Sequence, residues 1–181
     1  MDWPKRKQIR LPEYDYSIPG AYFVTICTQD RRCILSEIVV GDGVLDVPQV
    51  QLTLSGMCVH DTLLEIKQHY GWLSLDRFVI MPNHVHLLLR IESNGPSRTP
   101  APTNMDNGPS GTPAPTNETL PKLISTFKRL SNRRCGAQLW QRSYHEHVIR
   151  NENDYREIWE YIEGNPARWV DDCYFAEPVE P

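Results

Sequence analysis

Residues 72–91 read WLSLDRFVIMPNHVHLLLRI, two strand-like apolar runs on either side of Pro82-Asn83. Proline fixes its own φ and lacks a backbone donor, so this dipeptide reads as a turn and the flanking runs as neighbouring strands. The second run opens with His84 and His86, two residues apart. Side chains alternate along a strand, so both imidazoles project from one face while Val85, Leu87 and Leu89 project from the other. Two imidazoles at this spacing on a rigid element suit a metal site, and the plainer reading is the polar face of an edge strand.

The rest of the chain supplies the frame for this pair. GAYFVTICTQD (residues 20–30) is rich in aromatic and β-branched residues and reads as a buried strand. ILSEIVVGDGVLDV follows, with Gly41-Asp42-Gly43 between two apolar stretches, the pattern of a hairpin. Val59, Leu63 and Ile66 recur at helical spacing, which predicts a helix from about Gly56 to Tyr70 with Ser55 as its N-cap. Leu120, Leu123, Ile124, Phe127 and Leu130 define an amphipathic helix in ETLPKLISTFKRLSNRRC, and its outer face is basic. QLWQRSYHEHVIR fits a short strand or a loop. NENDYREIWEYIEGNPARW predicts a last helix, capped near Asn153 and ended by Gly164 and Pro166, and the residues after it, CYFAEPVEP, read as a tail. The order β-β-α-β-β-α-(β)-α predicts an α+β sandwich, with an antiparallel sheet covered by helices on one face.

Residues 93–118 differ in kind. NGPSRTPAPTN (94–104) recurs as NGPSGTPAPTN (107–117), a tandem duplication with a step of thirteen residues. Pro, Gly, Ser, Thr and Asn dominate, and two such polar copies cannot build a solenoid. A flexible loop insertion, dispensable for chemistry, is expected within a single domain spanning 1–181.

Composition excludes several classes. No apolar run approaches the roughly 20 residues of a membrane span, and the basic N-terminus is followed by no apolar signal region, so a cytoplasmic location without a membrane partner is expected. Cys27, Cys33, Cys58, Cys135 and Cys173 form no CxxC pair, which indicates reduced structural thiols. The net charge of −4 taken alone argues weakly against nucleic-acid binding. Its distribution points the other way. Between Pro121 and Arg150 the charged residues are Lys122, Lys128, Arg129, Arg133, Arg134, Arg142 and Arg150 against the single acid Glu146, and Lys5, Arg6, Lys7 and Arg10 form a second basic cluster.

A two-histidine metal site is incomplete, because a catalytic ion takes a third protein ligand and keeps open positions. In the last helix Tyr155, Ile158, Trp159 and Ile162 make the apolar stripe, and Tyr161 lies off it, one turn before Asn165. Tyr161 and Asn165 can therefore face a common site as a hydroxyl nucleophile and a carbonyl-oxygen ligand, or stand as a boundary tyrosine and a polar helix end. A second pair, His145 and His147 in SYHEHVIR, leaves a four-histidine zinc site open, with His145 exposed as the simpler reading. His60 and His69 read as surface residues of the first helix.

RLPEYDYSIPGAYFVTICTQDR, FVIMPNHVHLLL and WQRSYHEHVIRNENDYREIWEYIEGNPARW together resemble the small HUH single-tyrosine transposases, specifically the group associated with repetitive extragenic palindromes (REPs). The resemblance covers nearly all the chain outside the insertion and the extreme tail. It implies a ferredoxin-like (RNA-recognition-motif-like) sheet with His84 and His86 on a central strand and the nucleophile, Tyr161, on a later helix; Tyr144 is the rival. It implies a divalent ion, Mg²⁺ or Mn²⁺, on His84, His86 and Asn165, the last standing where related insertion-sequence transposases carry glutamine. It implies a nuclease and strand transferase that cuts single-stranded DNA beside hairpins through a 5′-phosphotyrosine link; the alternative is a domesticated protein that binds hairpin DNA without cutting. A DNA path over Lys122, Lys128, Arg129, Arg133 and Arg134, joined by Arg6, Lys7 and Arg10, is expected, in a monomer or a homodimer associated with the nucleoid when bound.

Overall fold

The structure is a computed structural model that describes residues 18–40, 47–92 and 119–176. The elements run β1 (Gly20–Cys27), β2 (Ser36–Val39), β3 (Gln49–Leu52), α1 (Leu54–His69), β4 (Leu73–Ile80), β5 (His84–Ile91), α2 (Thr119–Cys135), β6 (His145–Ile149) and α3 (Glu152–Gly164). β4, β5, β1 and β6 form one sheet in that spatial order, and every neighbouring pair is antiparallel. Taken by themselves, its strands and the first two helices follow β-α-β-β-α-β, and numbering those strands one to four gives the order 4-1-3-2 from the opposite edge, the ferredoxin-like topology. β2 and β3 pair separately as a short hairpin. The Gly41-Asp42-Gly43 segment between them, the duplicated insertion, the N-terminal basic cluster with Arg6, Lys7 and Arg10, and the last five positions all lie outside the described residues.

Strand periodicity sorts the sheet into two faces. Tyr22, Val24 and Ile26 of β1 and Val85, Leu87 and Leu89 of β5 are buried against Val59, Leu63 and Ile66 of α1 and Leu120, Leu123, Ile124 and Phe127 of α2. This layer of two helices on one face is the expected sandwich. The opposite face is not bare: α3 lies on it, and Ile162 joins Val79, Met81, Leu88 and Trp169 in a second, smaller cluster. Both histidines belong to this second face, on a central strand rather than at an edge.

The chain reverses at Met81-Pro82-Asn83, where the Met81 amide donates to the His84 carbonyl at 2.8 Å. α1 starts two residues before Gly56, and its cap is Thr53, not Ser55: the Thr53 hydroxyl accepts from the Gly56 amide at 3.1 Å. Tertiary contacts select Thr53, whose amide and hydroxyl both donate to Leu35 O at 3.0 Å. Gly56 is required there, since a Cβ would come within 1.9 Å of the same carbonyl oxygen. α3 is capped by Asn151 rather than Asn153, through a 2.9 Å bond from the Asp154 amide. Gly164 does not end the course of the chain, because Asn165 keeps right-handed helical angles and a 3₁₀ segment, Pro166–Asp171, continues it. Pro166 sits at the first position of that segment, where its missing donor costs nothing.

Candidate active site

His84 and His86 project side by side, and both are buried, at 0% and 1% exposure. Register explains what surrounds them. Cys27 and Thr25 of β1 stand opposite His84 and His86, and Val79 of β4 stands opposite His86, so neighbouring strands wall the pair on both sides. The ring nitrogens at their back are held. His84 Nδ1 lies 2.8 Å from Asn83 Oδ1, and Asn83 Nδ2 donates to the Tyr174 and Arg31 carbonyls at 2.8 and 3.2 Å. Those two carbonyls fix which way the Asn83 amide faces, so its oxygen meets His84 and the Nδ1 nitrogen carries the proton. His86 Nδ1 meets the Thr25 hydroxyl at 2.8 Å. The Nε2 atoms, left to point forward, converge to 2.9 Å.

Burial keeps both rings neutral. It pushes the His84 imidazole down to about 4, with Asp172 opposing and Arg31 adding to the shift. His86 is driven well below its ordinary value by burial and then by His84. Neutral imidazole is the form that ligates a cation.

α3 brings Tyr161 to the pair. Its hydroxyl lies 3.3 Å from His86 Nε2, and its ring packs edge-on against His86 and Phe23. Phe23 in turn stacks on His86 with ring centroids 5.2 Å apart. Burial, followed by the charge of Asp172, pushes the Tyr161 phenol up to about 12. One helical turn on, Asn165 is 2% exposed. Its Nδ2 donates to Asp172 Oδ2 at 2.8 Å, and its Oδ1 is buried with no hydrogen-bond partner. Asn165 is thus tied to the histidine pair through Asp172, and a buried carbonyl oxygen without a partner and two imidazole nitrogens are donor types that a divalent cation satisfies. The residues therefore fit the ion.

The sequence reading missed Asp172. His84, His86 and Asp172 each offer a ligand atom, all within 4.8 Å of one another, so the three can hold a metal ion. Nor is the segment after Asp172 a tail as far as Ala176. The Tyr174 amide donates to Asp172 Oδ1 at 2.7 Å, the Tyr174 ring lies 4.8 Å from that of His84, and Arg31 stands 5.4 Å above the Tyr174 ring. Phe175 packs on the ring of Trp169. The signal was there in two aromatics beside an Asp pair, a composition unlike a solvated tail.

The other candidates separate. Tyr144 packs with the α1–α2 core and under the Lys128 ammonium, on the face away from the histidines. QLWQRSYHEHVIR resolves into a bridge from Trp140 to Thr28 followed by β6. β6 register places His145 and His147 opposite Thr25 and Phe23, on the histidine face but one strand beyond. Both are exposed, His147 is bonded to Asp154 at 2.9 Å, and neither joins a metal-ligand cluster among the described residues.

The basic helix divides too. Lys128 donates to the carbonyls of Gln141, Arg142 and Ser143 at 2.8, 3.4 and 2.9 Å, so it secures a loop. Arg134 pairs with Glu65 of α1 at 2.6 Å. Arg129 and Arg133 line a groove of about 610 Å³ with Asn132, Gly136, Ala137 and Gln138. The segment that follows the groove lies beside the end of β1, where Gln29 N bonds to Leu139 O and Gln141 N to Cys27 O at 2.7 and 3.0 Å. Lys122 is exposed on the same helix.

The chain resembles several known proteins. No protein-family model matches the chain. An uncharacterized protein of Haemophilus influenzae is 32% identical over 177 residues, covering 95% of this chain and 94% of its own. A second protein of that organism, which bears the name of a REP-associated tyrosine transposase, is 25% identical over 155 residues, 85% of this chain and 74% of its own. Among solved structures, a REP-associated tyrosine transposase bound to a REP hairpin superposes with a TM-score of 0.57 at 19% identity, over 88% of this chain and 73% of that one. At that identity the likeness concerns the fold.

Proposed function

Because the chain belongs to the family of REP-associated tyrosine transposases, we propose that it is a metal-dependent endonuclease and strand transferase acting on single-stranded DNA beside hairpins. The observation that carries this reading is the Tyr161 hydroxyl, 3.3 Å from His86 Nε2 in a cluster that also holds the unpartnered Asn165 Oδ1.

Tyr161 is the nucleophile. Its oxygen attacks the scissile phosphorus, the bond to the 3′ oxygen breaks, and the phenolic proton is formally passed to that leaving oxygen as a 3′-OH. The DNA is left joined to the protein by a 5′-phosphotyrosine bond, and attack by another 3′-OH reverses the step without ATP. His84, His86 and Asn165 hold Mg²⁺ or Mn²⁺, which when bound supplies Lewis-acid stabilisation of the phosphate oxygens. Phe23 and the neighbouring imidazole fix the Tyr161 ring, so its oxygen is aimed before substrate arrives. Burial and the charge of Asp172 push the phenol up to about 12, so Tyr161 stands protonated at neutral pH and its proton leaves as the new bond to phosphorus forms. Arg129, Arg133 and Lys122, with Arg6, Lys7 and Arg10, contact the phosphates of the hairpin or its flank.

The test uses end-labelled hairpin DNA with single-stranded flanks, incubated with Mn²⁺ or Mg²⁺ and run on a denaturing gel. A covalent adduct that needs metal, vanishes in Tyr161→Phe and survives in Tyr144→Phe is expected. Retarded DNA on a native gel with no adduct under either metal would instead mean binding without cleavage.

A further inference from the structure

We propose that Asp172 is a carboxylate ligand of the same ion, and that Asn165 serves the site with both ends of its amide, the oxygen toward the ion and the nitrogen toward Asp172. The proposal rests on the reading of His84 and His86 as metal ligands.

Three observations support it. Ligand atoms of His84, His86 and Asp172 fall within 4.8 Å of one another, a separation that one ion spans with bonds of about 2.1–2.3 Å. Asp172 is positioned from both sides: Asn165 Nδ2 donates to Oδ2 at 2.8 Å and the Tyr174 amide donates to Oδ1 at 2.7 Å. These donors, with the neighbouring Cys173 thiol, are neutral and leave further lone pairs on the carboxylate. Finally, Asn165 spends its donor nitrogen on Asp172 and keeps a buried oxygen without a hydrogen-bond partner. A carboxylate held in this way, with no ion pair to Arg or Lys among the described residues, is positioned to accept a cation as a further partner.

The chemistry sets what the carboxylate contributes. Two imidazoles and an amide leave an ion with its full double charge, and softer sets of this kind also accept zinc. An added carboxylate halves the net charge and supplies a hard oxygen, favouring Mn²⁺ or Mg²⁺. Asp172 is also set apart from the HxH strand and the tyrosine helix, since it follows the 3₁₀ segment Pro166–Asp171. Its placement thus makes the segment after α3 part of metal capture.

The experiment measures Mn²⁺ on the full chain without DNA, so activity is not the readout. Electron paramagnetic resonance titration gives affinity, and pulsed electron–nuclear double resonance on protein grown with ¹³C-carboxyl aspartate detects a directly bound carboxylate. Expected are a ¹³C coupling in the wild-type protein that disappears in Asp172→Asn, and an affinity loss of about tenfold or more in that variant. Nitrogen couplings from the histidines without a ¹³C coupling would overturn the role of Asp172 and leave the histidine site standing. Mn²⁺ affinity unchanged in His84→Ala would overturn the underlying site itself. Asp172→Glu, which keeps a carboxylate but no ¹³C-aspartate at that position, should lose the ¹³C coupling with a smaller loss of affinity, so a folding defect in Asp172→Asn cannot mask the answer.

Discussion

Lys128 offers the sharpest separation of architecture from DNA contact. Replacing it with Met keeps the aliphatic stem and removes the ammonium, which donates to Gln141 O and Ser143 O at 2.8 and 2.9 Å and, more distantly, to Arg142 O at 3.4 Å. Burial lowers the Lys128 pKa to about 8, so the group is still largely charged at pH 7. Hydrogen bonds to a charged group contribute about 1.5–3 kcal/mol each. Two short ones set a gross loss of about 3–6 kcal/mol, of which rehydration of the carbonyls of the exposed Arg142 and Ser143 recovers part. The contact of the ammonium with the Tyr144 ring, 5.6 Å from its centroid, adds about 0.5–1 kcal/mol. A net cost of about 2–4 kcal/mol follows, which for a chain of this size lowers Tm by roughly 5–12 °C. Differential scanning calorimetry measures it, beside hairpin-DNA titrations at several salt concentrations. Arg129→Ala and Arg133→Ala should leave Tm within about 2 °C and each reduce the salt slope of DNA binding by about 1. If Lys128→Met instead keeps its Tm and loses the same unit of salt slope, the loop-anchoring assignment is wrong and Lys128 belongs to the DNA path.

Other perturbations reach other parts of the fold. Asp76 ties β4 to α3, accepting from Ser74, from Tyr155 and from Arg90; burial alone would raise its pKa, but those bonds hold it below the ordinary value. A depressed carboxylate pKa stabilises the fold above the unfolded value near 3.9 and loses that stabilisation as pH falls through the folded value. Asp76→Asn should therefore cost about 1–3 kcal/mol at pH 7 in urea unfolding, a gap that closes as pH drops below about 4; a gap constant with pH would show that the charge is immaterial. Asn83→Ala takes away the acceptor behind His84 Nδ1, and Mn²⁺ affinity should fall about 10- to 100-fold. Equal affinity in the two proteins would mean that the imidazole needs no such support. Gly56→Ala drives a methyl into Leu35 O and should cost about 3 kcal/mol or more, read as a fall in Tm.

The sequence carries some of this well and some of it poorly, and distance along the chain explains the difference. The period of two along β5 was enough to place His84 and His86 on one face, and the period of 3.6 along α3 was enough to set Tyr161 and Asn165 one turn apart. These are local facts. That the histidine face is covered depends on α3 folding back over the sheet, and no periodicity within β5 encodes it. Asp172 reaches the histidines only because the chain continues past Gly164 as a 3₁₀ segment, where Gly and Pro had suggested a stop. Thr53 and Ser55 are equally good caps by residue type, and Leu35 O decides between them from eighteen residues away in sequence. Lys128 reads as one more cation on a basic stripe until the 141–143 loop is laid across it.

The direction of β5 has a practical consequence. The strand begins with His84 and runs away from it to Ile91, so seven steps of about 3.3 Å put the exit point about 23 Å from the histidine end. The duplicated segment is spliced there, between Ile91 and Thr119, the start of α2. Another copy of the repeat would add only roughly a few tenths of a kcal/mol in closure entropy. A label introduced between Ile91 and Thr119 is therefore attached to the sheet at the end of β5 opposite to His84, so the point of attachment and the histidine pair are separated by the length of the strand.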